Sequence, residues 1–270
     1  MNACRIMGIV NVTPDSFSDG GRFADRTAAV DHARKLIAEG ADILDIGGES
    51  TRPGAEPVSE SEELARTLPL IEAVRAESKV AISIDTMKPA VARAAIQAGA
   101  TMWNDVSALG WSPDSPFVAA DLGCEVVLMH MRGEPRTMQA DPHYDEVVRE
   151  VGDELLARAK AALTAGVARE RIWLDPGIGF GKTMAHNLTL LRHLDRLVAL
   201  GFPILYGASR KSTIARIDPT ATKAEDRLGG SIAFALAAAR AGAAMVRVHD
   251  VRETVQLRDL LTMPLSSVAS

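Results

Sequence analysis

The run Asp175-Pro176-Gly177-Ile178-Gly179-Phe180-Gly181-Lys182-Thr183 has the outline of a phosphate-binding loop and departs from it at one position. The Walker A spacing asks for a glycine where Pro176 stands, and a proline has no N–H to give a phosphate. What is left is a carboxylate at the end of an apolar run, Ile172-Trp173-Leu174, followed by glycines that permit close backbone approach. Polar residues close other short apolar runs in the same way: Asn11, Asp45, Asp85, Asn104 with Asp105, His130, Ser209 to Lys211, and Arg247 with His249.

These residues sort by chemistry. Arg52, Arg247, His249 and Asn11 make a candidate anion site, because a guanidinium fork matches phosphate oxygens. Asp85, Asn104, Asp175 and Lys211 make a second set, in which carboxylates accept from amino and ring N–H groups and an ammonium donates to a carbonyl or ring nitrogen. That suits a flat heterocycle with a guanidine-like edge, a pterin or a purine, and spacing does not choose between them. Each residue alone has a plainer reading. Asp85 and Asp175 could cap the helices that follow, Asn104 could serve a turn, and Lys182 reads as a solvated loop charge. His32, His186 and His193 read as surface or packing residues, and most methionines as core filler.

Positioning these groups falls to short strands alternating with longer amphipathic segments. Strands are expected at residues 5–10, 42–46, 80–84, 101–104, 125–129, 171–174, 203–206 and 244–248. Helices are expected at 27–39, 60–77, 89–97, 113–121, 144–164, 185–200, 224–241 and 251–261. Most helices end at a glycine (Gly40, Gly99, Gly123, Gly166, Gly201, Gly242), the residue that best takes the left-handed closing position. The strands are near-continuous apolar runs, which indicates burial on both faces and a parallel sheet. Eight such pairs, with no linker or low-complexity tract between them, predict a single-domain (β/α)8 TIM barrel over residues 1–270. Three long connections, 11–26, 47–59 and 131–143, follow strands, on the side where barrels carry their active sites.

At 270 residues the chain suits one large barrel. Its net charge of −5 argues against a nucleic-acid or anionic-membrane surface. Two cysteines without CxxC spacing suggest neither a disulfide framework nor a zinc site. With no leader and no spanning apolar stretch, the expected location is the cytoplasm, away from any membrane.

Several motifs carry a resemblance that the chemistry alone left open. Met7 to Gly21 (MGIVNVTPDSFSDGG) and Gly47 to Gly54 (GGESTRPG) are similar to the first and second loops of bacterial dihydropteroate synthases. Ser83-Ile84-Asp85-Thr86, Asn104-Asp105-Val106, Met129-His130-Met131, the Asp175 to Lys182 run, Ser209-Arg210-Lys211-Ser212 and Arg247-Val248-His249-Asp250 resemble the same family, in the same order. The resemblance implies a barrel transferase of folate biosynthesis. It would condense 6-hydroxymethyl-7,8-dihydropterin diphosphate with 4-aminobenzoate, with Mg2+, to give 7,8-dihydropteroate and diphosphate.

The resemblance also implies roles. The pterin would lie against Asp85, Asn104, Asp175 and Lys211, with Val106, Met129, Phe180 and Gly207 around it. Asn11, Arg52, Arg247 and His249 would hold the diphosphate, with Asn11 also near the metal. Thr51, Pro53, Phe180 and Ser209 would form the aminobenzoate pocket, which sulfonamides also occupy, while Phe17 and Asp19 belong to the first closing loop. Asp85, Asp175, Lys211 and Arg247 are the catalytic set, and a homodimer is expected. Two departures, Thr213-Ile214-Ala215 after the lysine motif and Arg132 where glutamine is common, touch fine packing. The alternatives are another pterin-binding barrel, such as a methyltetrahydrofolate methyltransferase domain, a non-catalytic pterin-binding scaffold and, on the lysine loop alone, a nucleotidase.

Overall fold

A computed structural model describes residues 4–12, 21–51, 54–134 and 136–263, with only the backbone at residues 21–25. The strands are β1 (Arg5–Asn11), β2 (Ile43–Gly47), β3 (Ala81–Asp85), β4 (Met102–Asp105), β5 (Glu125–Met129), β6 (Ile172–Asp175), β7 (Leu205–Tyr206) and β8 (Met245–Val248). All pair in parallel in the order β6-β5-β4-β3-β2-β1-β8-β7. The remaining seam is bridged between Leu174 and Ile204, with the Leu174 N–H donating to the Pro203 carbonyl at 3.0 Å. The expected barrel is therefore present.

Its helices are α1 (Gly21–Ala38), α2 (Glu60–Glu77), α3 (Pro89–Gln97), α4 (Ser115–Leu122), α5 (Val147–Thr164), α6 (Met184–Arg192), α7 (Leu194–Val198), α8 (Ser212–Ile217), α9 (Leu228–Arg240) and α10 (Val251–Thr262). The first helix starts at Gly21 rather than 27 and α9 spans Leu228–Arg240 rather than 224–241; three further differences have visible reasons. The fifth starts at Val147 rather than 144, because Tyr144 is drawn into a loop contact, its hydroxyl donating to the Gly181 carbonyl at 3.0 Å. The segment 185–200 is split at His193, whose backbone (φ −118°, ψ 27°) leaves the helical region. The six residues of α8 are too few to show a helical period. No helix among the described residues is long and apolar enough to cross a membrane.

Two packed shells explain why the strands read as continuous apolar runs. One set of alternate residues faces the helices in the outer core, among them Ile6, Val10, Leu44, Ile46, Ile82, Ile84, Trp103, Val126, Leu128 and Leu174. The other set fills the barrel interior with Met7, Ile43, Met102, Val127, Trp173, Leu205 and Met245. Side chains two residues further along share the inward face. Stepping by two from that layer and crossing by the strand register gives Ile9, Asp45, Ser83, Asn104, Asp175 and Arg247, then Asn11, Gly47, Asp85 and His249. The interior thus changes from apolar to charged toward the carboxyl ends of the strands.

Candidate active site at the carboxyl ends of the strands

Arg247 is the hub of this charged layer. Its Nε donates to Asp45 Oδ2 at 2.5 Å and its Nη2 to Asp85 Oδ2 at 2.7 Å. Asn104 Nδ2 donates to the same Asp45 oxygen at 3.1 Å. The register that pairs Gly47 with Asp85 and Asp85 with Asn104 sets these groups side by side. Burial pushes the Asp85 carboxyl up to about 7; the Arg247 charge opposes this, and Asp45 adds to it. The guanidinium itself is held charged by the two carboxylates.

Asp175, at the end of β6, accepts from the Gly177 N–H at 2.7 Å. Burial raises its pKa, and the Lys211 charge opposes that shift most strongly. Lys211 Nζ donates to the Ile178 carbonyl and lies 4.6 Å from the centre of the Phe180 ring. Burial lowers the Lys211 ammonium to about 8. A Cβ on Gly207 would meet Arg247 Cβ at 3.6 Å and Asp175 Oδ2 at 4.0 Å, so this glycine sits between the two charged groups. Val106 and Met129 pack with Met87, and Phe180 and Met131 lie against them as an apolar wall.

Of the residues expected to meet a diphosphate and an aminobenzoate, Asn11, Thr51, Ser209, Arg247 and His249 lie across the mouth. A cavity of about 860 Å³ is lined by Asn11, Thr51, Asp85, Ser209, Arg247 and His249, together with neighbouring residues of α1 and α10. Ser209 Oγ lies 3.0 Å from His249 Nδ1 and accepts from the His249 N–H at 3.2 Å. Between Ser209 and Lys211 the chain turns through Arg210 in a left-handed conformation (φ 57°), held by the Ser231 hydroxyl and by Arg227. That turn sends Ser209 toward β8 and Lys211 toward the loop after β6. Asn104, Val106, Met129, Asp175, Phe180, Gly207 and Lys211 do not line the cavity; Asp85 and Arg247 join it to their layer. Arg52 and Pro53 lie outside the described residues, as do Phe17 and Asp19.

Several plainer readings fail. Neither Asp85 nor Asp175 is a helix cap: Lys88 precedes α3, and Thr183 caps α6 by accepting from the His186 N–H at 3.1 Å. His186 completes that capping box. Lys182 is not a solvated charge but is 3% exposed, with its Nζ 2.8 Å from His130 Nδ1. Asp105 and His130, both strand-end candidates, have the outward parity. Asp105 accepts from Ser107 and Leu109 within its own turn.

Sequence reading also passed over a buried brace under the second loop. Lys88 Nζ donates to Glu49 and to Glu63, each at 2.6 Å, and Glu49 accepts from the Val58 N–H at 3.0 Å. Lys88 lies 39 residues from Glu49, so only the fold brings them together.

The metal expectation can be set against these donors. Among the described residues no three His, Cys, Asp or Glu side chains group as a cage. Asn11 lines the cavity, and its Oδ1 and Asp85 Oδ2 would each stand 3.7 Å from a Cβ on Gly47. One amide oxygen at an open mouth fits Mg2+ whose remaining ligands are phosphate oxygens and water.

Comparison with known proteins agrees with this geometry. The family described as pterin binding enzyme matches residues 7–249. The dihydropteroate synthase of Escherichia coli (strain K12) is 46% identical over 262 residues, covering 97% of this chain and 92% of that protein. The Xanthomonas albilineans dihydropteroate synthase, solved with 4-aminobenzoic acid, superimposes with a TM-score of 0.91 at 49% identity, covering 100% of this chain and 95% of that one. The Yersinia pestis dihydropteroate synthase in a sulfonamide drug complex gives 0.90 at 43% identity, covering 96% and 93%. All three share one activity, which sets aside the methyltransferase, scaffold and nucleotidase readings. A charged layer inside an eight-stranded barrel, a family match across nearly the whole chain and relatives at this identity show that the chain belongs to the pterin binding enzymes and, among them, to the dihydropteroate synthases.

Proposed function

We propose that this enzyme condenses 6-hydroxymethyl-7,8-dihydropterin diphosphate with 4-aminobenzoate by an SN1-like path. The observation that carries the reading is Arg247 clamped between Asp45 and Asp85 at the edge of the large cavity. One residue thereby belongs both to a carboxylate set suited to a pterin ring and to a cationic set suited to its diphosphate.

In this reading Asp85, Asn104 and Asp175 accept or donate along the amino-pyrimidine edge, and Lys211 donates to the ring. Val106, Met129 and Phe180 cover its faces, and Gly207 leaves room between Asp175 and Arg247. Asn11, Arg52, Arg247 and His249 bind the diphosphate. As the bond from the exocyclic CH2 to the diphosphate oxygen stretches, its electron pair goes to the oxygen, where these donors meet the growing charge. Mg2+, when bound, would be held by Asn11 and supplies further neutralisation of the leaving diphosphate. Positive charge develops on the CH2 and spreads into the ring, where Asp85 and Asp175 favour it over the neutral ground state.

The arylamine is a neutral nucleophile near pH 7 and needs no base before attack. Its lone pair forms the C–N bond, and the resulting ammonium loses a proton to water or to diphosphate. Thr51, Pro53, Phe180 and Ser209 orient it, and the first two loops exclude water that would otherwise capture the cation. Sulfonamides, which the Yersinia relative binds, would compete there. A homodimer is also proposed; the hollow of about 450 Å³ among α6, α8 and α9, with Ile217 exposed beside it, offers an apolar face.

The test is diphosphate release by the purified enzyme with Mg2+ and the pterin diphosphate. Release that depends on added 4-aminobenzoate and matches pteroate formed one for one supports the reading. Equal release without the arylamine overturns it.

A further inference from the structure

After Asp175, the last residue of β6, the loop carries the Ile178 carbonyl that receives Lys211 and Phe180 under the Lys211 ammonium. Its backbone lies directly on the loop after β5. A Cβ on Gly177 would stand 1.9 Å from the His130 carbonyl oxygen, and one on Gly181 2.3 Å from that of Arg132. Both glycines have positive φ, 64° and 60°. Such close approach leaves no slack, yet it creates no attraction. Two backbones in contact need a bond between them.

Lys182 supplies such a bond, beside those from the Tyr144 hydroxyl to the Gly181 carbonyl and from the His130 N–H to the Asp175 carbonyl. Its Nζ reaches His130 Nδ1 at 2.8 Å, the Phe180 carbonyl at 2.9 Å and the Gly177 carbonyl at 3.0 Å, with the His130 carbonyl further off at 3.3 Å. An ammonium has three N–H donors, and three near acceptors match them. For Nδ1 to accept, the ring proton must sit on Nε2, which lies 2.9 Å from Glu154 Oε2 but outside hydrogen-bond geometry. Burial and the neighbouring Lys182 and Arg132 charges pull His130 down to about 3, consistent with a neutral acceptor ring. Burial also lowers Lys182 to about 7, which the nearby Asp175 carboxylate opposes. Outside this pair Arg132 stacks 4.1 Å over the Tyr144 ring and bonds Glu150 at 2.9 Å. Arg132 thereby ties the loop after β5 to α5 through Glu150 and through Glu154, the carboxylate that also lies against His130.

We infer that Lys182 is a positioning residue for the reaction: its buried ammonium ties the loop after β6 to His130 and so sets Phe180 and the Ile178 carbonyl where Phe180 and Lys211 can hold the pterin. Lys182 does not touch substrate in this role. It acts through two residues that do, and the inference rests on the proposed pterin site.

Steady-state kinetics and thermal unfolding of Lys182→Met, Lys182→Gln and Leu155→Ala test it. Met removes every donor, Gln keeps two, and Leu155→Ala lowers stability from α5, in the outer core, at a residue that makes none of the loop's hydrogen bonds. The expected result, measured well below each unfolding midpoint, is a KM for pterin diphosphate raised about tenfold in Lys182→Met, with a smaller fall in kcat. Lys182→Gln should lie between it and the parent, and Leu155→Ala should match the parent despite its lower midpoint. If Lys182→Met does not fold, Lys182→Gln carries the same comparison. Parent-like KM in the lysine variants, or the same rise in Leu155→Ala, overturns the inference. An inactive parent enzyme would instead overturn the proposed function.

Discussion

Arg247 Nη2 donates to Asp85 Oδ2 at 2.7 Å, so the carboxylate expected to read the pterin and the guanidinium expected to hold its diphosphate are already in contact. The pair is joined from below by Asp45, which is fully buried and also receives Asn104. The two halves of the site are therefore not independent. A substitution on one side reaches the other through Arg247.

Arg247→Ala should show this in both activity and stability. Turnover should fall by at least about a hundredfold if the arginine stabilises leaving-group charge. Unchanged kinetics would remove Arg247 from the anion site. Stability should respond to pH with a definite sign. Asp85 is already raised to about 7 from 3.8, and loss of the positive neighbour raises it further. A carboxyl raised in the folded state holds its proton longest there, so its contribution is present at low pH and lost as pH rises through the folded value. The urea midpoint of Arg247→Ala should lie below that of the parent throughout, because Asp45 loses its cation, with a gap that is smallest near pH 5 and widens toward pH 8.

Asp45→Asn keeps the shape and removes one charge from the clamp. Among the described residues Arg247 then has only Asp85 as an ion-pair partner, and kcat/KM should drop about tenfold, the cost of one charge-assisted hydrogen bond. A parent-like value would make Asp45 a spectator of the site.

Lys211→Ala and Asp85→Asn should each weaken binding of pterin diphosphate, by about tenfold or more on the same scale. Calorimetric titration with the pterin substrate alone checks this. Parent-like affinity in both would move the pterin away from the Asp85, Asn104 and Lys211 group.

Lys88→Met should act on the other substrate. It leaves Glu49 and Glu63 buried without their shared cation, a change costing about 3 kcal/mol or more. Because Glu49 holds the Val58 N–H, the second loop should loosen and the KM for 4-aminobenzoate should rise more than that for the pterin. Equal effects on both would mean a general loss of fold rather than a loosened loop.

The barrel was legible because its signals are local: apolar runs of strand length, helical periods, and closing glycines such as Gly99, which indeed has φ 110°. The candidate site residues were legible as polar groups at strand ends and through motif resemblance. What separates Asp45 from Asp105 and His130 is parity, since only residues an even number of steps from the inner apolar layer point into the mouth. That signal is present in the sequence once the inner layer is known, but both faces of each strand are buried, so no polar alternation reveals it beforehand. Lys88 and Lys182 were hidden for another reason. A buried ammonium is recognised by its acceptors, and these come from distant segments or from backbone carbonyls, which carry no residue signature.

The central claim is that the C–O bond to diphosphate breaks ahead of C–N bond formation, with Asp85 and Asp175 holding the charge on the pterin. The carbon isotope effect at the exocyclic CH2, measured on kcat/KM for the pterin diphosphate with chemistry rate-limiting, tests it most directly. A small effect, with a large normal secondary effect from deuterium on the same carbon, is the predicted result. A large carbon effect with a secondary effect near unity would show the arylamine bonding in the transition state and contradict the account.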